Sequence, residues 1–179
     1  MFFQMKKHPF LSAALFSGLA LVATSCDKGG DDGNKKIDAG RFAGTTTMSV
    51  SGMPMTFQVA DTMSVDIAAD DAVRVSFAAR TVNVQTQDAA MQFTIGKFTI
   101  DSVLVAKTSN GYTLSRANNF SVSSTMRVGG GGDVPTTVRG KFGNSSVADN
   151  KAKVVLENVA AGQMPVQLTF TFEGTKTQN

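Results

Sequence analysis

The side chains that usually do covalent or metal chemistry are scarce here, and their placement is uneven. The 179 residues hold one cysteine, Cys26, one histidine, His8, and two glutamates, Glu157 and Glu173. A nucleophile–imidazole relay needs a histidine beside a serine or cysteine, and zinc sites draw on His and Cys. Both Cys26 and His8 stand within the first 26 residues, far ahead of any patterned segment. Glu157 and Glu173 are the one pair open to carboxylate-only glycoside hydrolysis. Both lie among strand-like residues with Lys and Thr neighbours, where surface positions explain them better. Asp70 and Asp71 offer oxygen ligands but lack the spaced acids and distal Glu of a calcium loop. Seven methionines lie beyond residue 25, and none is closer to another than Met53 is to Met55. That spacing fits core filling by Met53, Met55, Met63 and Met91 better than copper capture. Gly129 to Gly132 could present amides to an anion. No Lys-Ser or Lys-Thr follows them into a helix, so a hairpin loop is expected. The residues call for no catalytic group, no cofactor and no metal ion.

The cysteine has a different use. Lys6 and Lys7 precede an uncharged run from Phe10 to Ala23, which ends in the small residues Ala23, Thr24 and Ser25. A positive head, a short apolar middle and a small-residue exit describe a secretory signal peptide over residues 1–25. The run falls short of the roughly 20 apolar residues that a membrane helix wants. "ATSC" resembles the lipobox of bacterial lipoproteins, with Ala23 where Leu is usual. The resemblance implies cleavage before Cys26 and a diacylglycerol on its sulfur. Two or more acyl chains hold a protein stably on a membrane without spanning it. Residues 26–39, rich in Gly, Asp and Lys, then read as a lipidated tether. Asp31 and Asp32 resemble the acidic export signals of Bacteroides-type lipoproteins. The expected location is the outer membrane, at its periplasmic face or on the cell surface.

Loss of Lys6 and Lys7 with the leader lowers the formal charge from +3 to 3 − 2 = +1. No basic field remains of the kind that nucleic acid needs. No disulfide can form within residues 40–179, so that domain must rest on a hydrophobic core, for which its length suffices.

From Phe42 onward the apolar period is two. Val73, Val75 and Phe77 alternate with Arg74, Ser76 and Ala78, and Val166, Leu168, Phe170 and Phe172 repeat the pattern near the end. Between them come Val82 and Val84, Phe93 and Ile95, Phe98 and Ile100, Val103 and Val105, and Phe120 and Val122. Such alternation marks strands with one buried face. Asn110-Gly111 is a strong hairpin signal, and turns are expected at 51–54, 69–72, 116–119 and 148–151. The fold expected is all-β, an antiparallel meander that closes into a barrel or pairs as a sandwich.

The segments "GRFAGTTTMSVSGMPMTF", "FTIGKFTIDSVLVAKTSNGYTLSR", "VRGKFGNSSVADNKAKVVLENV" and "MPVQLTFTFEG" resemble the calycin-like β-barrel lipoproteins of Bacteroides-type bacteria. The likeness implies a calycin- or lipocalin-like barrel over residues 40–179, with Phe42 standing where calycins often carry a Trp. "DTM" at 61–63 and "DSV" at 101–103 resemble the O-glycosylation sequence of such bacteria, which implies sugars on Thr62 and Ser102. The expected function is non-catalytic. A membrane-anchored barrel binds a small apolar or amphipathic ligand. The alternative is a structural protein that contacts another envelope or host protein through its loops or outer face.

Overall fold

A computed structural model describes residues 37, 39–85, 90–162 and 166–178. They belong to one compact unit, Gly33–Asn179. Cys26, the leader, Asp31 and Asp32 lie outside the described residues.

Among the described residues there are twelve strands and no helix. They are β1 (Gly40–Val50), β2 (Thr56–Ala69), β3 (Ala72–Phe77), β4 (Arg80–Gln85), β5 (Ala90–Ile95) and β6 (Phe98–Thr108). Then follow β7 (Gly111–Ser115), β8 (Phe120–Val128), β9 (Val134–Phe142), β10 (Ser145–Ala148), β11 (Lys151–Ala161) and β12 (Leu168–Lys176). Every pairing is antiparallel.

Four breaks in the list are bends rather than turns. Only Ala78 and Ala79 separate β3 from β4, and only Gly96 and Lys97 separate β5 from β6. Residues 116–119 bend β7 into β8, and Gly143 with Asn144 bends β9 into β10. Each pair therefore runs as one bent strand, and eight long strands remain. Each is bonded to the next in sequence, and β12 pairs back to β1. That last pairing closes the meander, and β11 bonds to both halves of the bent strand before it, β9 and β10. An eight-stranded closure leaves an interior that side chains can fill or that one small ligand can share. One seam is not laced. β4 pairs with β5 alone, so the first half of β2 and β4 lie side by side without a ladder.

The alternation of the sequence sets the inner face. Phe42, Met48, Met63, Val65, Val75, Phe77, Phe170 and Phe172 are all buried. Where the phase of the apolar residues slips, the backbone bulges. Between Ile100 and Val103 the partner strand advances two residues, from Val75 to Val73, while β6 advances three. Ser102 takes up the extra residue with φ 58, as a bulge requires. Asn158 does the same on β11 with φ 53. Between β1 and β12, Gly44 sits opposite Gly174. A Cβ on Gly44 would fall 2.0 Å from the Glu173 carbonyl oxygen. The Phe172 ring lies over Gly174, only 2.5 Å from where its Cβ would stand. Two glycines thus let the wall coil tightly there, with an aromatic ring covering the bare backbone.

The two ends differ. One carries the start of β1 and the turns at 70–71, 109–110 and 149–150. There Phe42, Val73, Val105, Leu114 and Val147 pack closely, and Ile37 is buried with them. Residue 37 was expected in the tether; its burial makes it part of the folded unit. The opposite end carries the hairpin at 51–55, the 129–133 loop with its four glycines, and the β4–β5 and β11–β12 connections.

Candidate functional site

On three strands the exposure of inward-facing residues rises from mid-strand toward the glycine-loop end. Along β2 it passes from buried Val65, Met63 and Asp61 to half-buried Val59 and Phe57. Along β8 it passes from Phe120, 1% exposed, through half-buried Val122 and Met126 to Val128 at 54%. Along β9, Val138 is fully buried, Thr136 half-buried, and Val134 is 62% exposed. Val50 and Phe93 are half-buried at the same level. The glycine-loop end is thus less covered along β2, β8 and β9, and stays covered along β11 and β12, where Ala161 and Leu168 are buried.

One ion pair lies inside this wall. Arg80 begins β4, and its Nη1 stands 3.2 Å from Asp61 Oδ2 with neither side chain exposed. Asp61 sits in the apolar phase of β2, between Val59 and Met63, and so must point inward. Its carboxylate is well supplied. Thr46 Oγ1 donates to Oδ2 at 2.5 Å, and the Thr62 amide donates to Oδ1 at 2.8 Å. The guanidinium is not. Nη2 donates one long bond, 3.4 Å, to the Ala78 carbonyl. Nη1 touches Asp61 without hydrogen-bond alignment, and Nε has no partner. The rings of Phe77, Phe98 and Phe170 surround its centre at 4.9, 5.3 and 5.3 Å. Such contacts offset part of the desolvation, at ~0.5–2 kcal/mol each. Burial lowers the Arg80 pKa, and the charge of Asp61 raises it in opposition. An unmet buried donor costs roughly 1–3 kcal/mol.

The other candidates lie on the outside or at the turns. Glu157, half-buried, faces Lys141 at 3.8 Å, and Glu173 faces Lys153 at 2.9 Å, with the other three exposed. Asp70 and Asp71 are exposed in the β2–β3 turn. Among the described residues no three metal-ligating side chains gather. Met63 is buried and Met53 is 51% exposed in the β1–β2 hairpin. Thr62 is half-buried, and its amide is held by Asp61. Ser102 is exposed on the β6 bulge, next to Asp101, which pairs with Arg74 at 2.6 Å. Clefts of about 540 and 750 Å³ open outside the barrel, one over Lys153 and Glu173, the other beside Arg41 and Lys176. Arg80 lines neither.

The profile of the calycin-like β-barrel domain matches residues 39–175. The chain belongs to that family. Among solved structures, the calycin-like barrel is similar to a Bacteroides fragilis protein whose name assigns it to the outer membrane. The TM-score is 0.51 at 17% identity, over 78% of this chain and 51% of that one. The likeness is one of fold, and the chain spans about half the length of that protein. No curated protein matches the sequence.

Neither Arg80 nor Asp61 stands out by residue type, and Asp61 belongs to a sequence motif only as the acid of "DTM". Its place in the run Phe57, Val59, Asp61, Met63, Val65 is the signal that marks it as interior.

Proposed function

We propose that this calycin-like barrel is the binding domain of an envelope lipoprotein, and that it holds a small amphipathic molecule without converting it. The observation that carries the reading is the rise in exposure of inward-facing apolar residues along β2, β8 and β9. An apolar interior with one polar spot is what a small-molecule site requires. In this reading Cys26 carries the lipid, and the protein sits at the outer membrane on its periplasmic face or on the cell surface. The leader pattern supports this, as does the fold shared with the Bacteroides fragilis protein. The chain has no Trp, so Phe57→Trp places a single fluorophore at the glycine-loop end. Titration with N-phenyl-1-naphthylamine should quench it with a saturable curve, and a flat response overturns the binding reading.

A second reading has its own observation. Leu104, 46% exposed, stands on β6 between buried Val103 and Val105 and so faces outward. A large apolar group on an outer face fits contact with another envelope or host protein. A stoichiometric partner that co-purifies from intact envelopes and is lost with Leu104→Lys would favour it. Of the two O-glycosylation candidates, exposure favours Ser102 over Thr62. Intact mass of the native protein, with and without Ser102→Ala, tests that assignment.

A further inference from the structure

We infer that the molecule held in the barrel presents an uncharged hydrogen-bond acceptor, such as a ketone or ester oxygen, to the edge of Arg80, and that a carboxylate is disfavoured there. The inference rests on the binding reading above and adds the chemistry of the head group.

Four polar residues are buried among those described: Thr46, Asp61, Arg80 and Ser145. Three are already served. Thr46 donates to Asp61, Asp61 accepts from two donors, and Ser145 Oγ donates to the Gly143 carbonyl while accepting from the Val155 amide. Arg80 alone keeps unspent capacity, at Nε and Nη1. The rings of Phe77, Phe98 and Phe170 surround its centre. The donors left for an incoming group are Nε and Nη1, on the edge of the guanidinium, where a lone pair can accept. The apolar remainder of the molecule would then run past Val59, Phe57 and Phe93 toward the glycine-loop end.

The charge count selects the head group. Asp61 already neutralises Arg80 at 3.2 Å. A ligand carboxylate at the same guanidinium would place two anions around one cation in a medium that screens poorly. A purely apolar molecule would leave the donors unmet. A neutral oxygen satisfies them without adding charge.

The test uses the full chain and displacement of N-phenyl-1-naphthylamine by three probes of matched length: 2-dodecanone, dodecane and dodecanoate. In the native protein the ketone should displace at a concentration at least tenfold below the other two. Asp61→Asn removes the competing anion and should turn the order toward dodecanoate. Arg80→Met should erase the advantage of the ketone over dodecane, and it serves if Asp61→Asn does not fold. Native protein that prefers dodecanoate, or treats ketone and dodecane alike, overturns the inference and leaves binding standing. If N-phenyl-1-naphthylamine itself does not bind, the binding reading fails first.

Discussion

Asp61 and Arg80 meet 3.2 Å apart within the barrel wall, and neither side chain reaches solvent. The relation is lopsided, because the acid has three partners and the base has little beyond aromatic rings. Removing the acid strands a buried cation. Asp61→Ala should lower stability by ~3–5 kcal/mol, whereas Asp61→Val combined with Arg80→Met should end within ~1 kcal/mol of the native protein. Urea unfolding of the two variants separates these outcomes.

The Gly44–Gly174 crossing gives a second prediction. Gly44→Ala drives a methyl into the Glu173 carbonyl, a backbone atom that has little room to move. A loss of at least ~1–3 kcal/mol is expected, as for overpacking elsewhere. Gly130→Ala, where nothing lies within 4 Å, should stay within ~0.5 kcal/mol. Thermal melts of the pair suffice.

Much of the barrel was legible because its period of two is clean. The phase slip between Ile100 and Val103 even marks the β6 bulge. The bends were less so. Ala78-Ala79 and Gly96-Lys97 interrupt the ladder without any reversal of the chain, and small residues in a strand pattern look like turns. A closed meander of eight long strands, four of them bent, therefore reads as a larger number of short ones. The Arg80–Asp61 contact spans two strands that share no ladder, and no local pattern in a sequence records such an approach.

Ser102 bears on the bulge directly. A non-glycine residue at φ 58 holds a conformation that costs roughly 1–2 kcal/mol. Ser102→Gly should therefore raise stability by up to ~1 kcal/mol, while Ser102→Val should lower it by a similar amount or more. Chemical denaturation of unglycosylated protein reads both.

Ile37 lies three residues ahead of β1 yet is only 4% exposed. Ile37→Ala should cost ~2–5 kcal/mol, as for other buried branched residues. A negligible loss would return this residue to the linker. Hydrogen exchange of the Ala39 amide, which donates to the Ile37 carbonyl at 2.7 Å, should accelerate in the same variant.

The folded unit begins before its first strand, because a residue ahead of Gly40 already belongs to the core. A barrel trimmed to the start of β1 would therefore lose a core side chain.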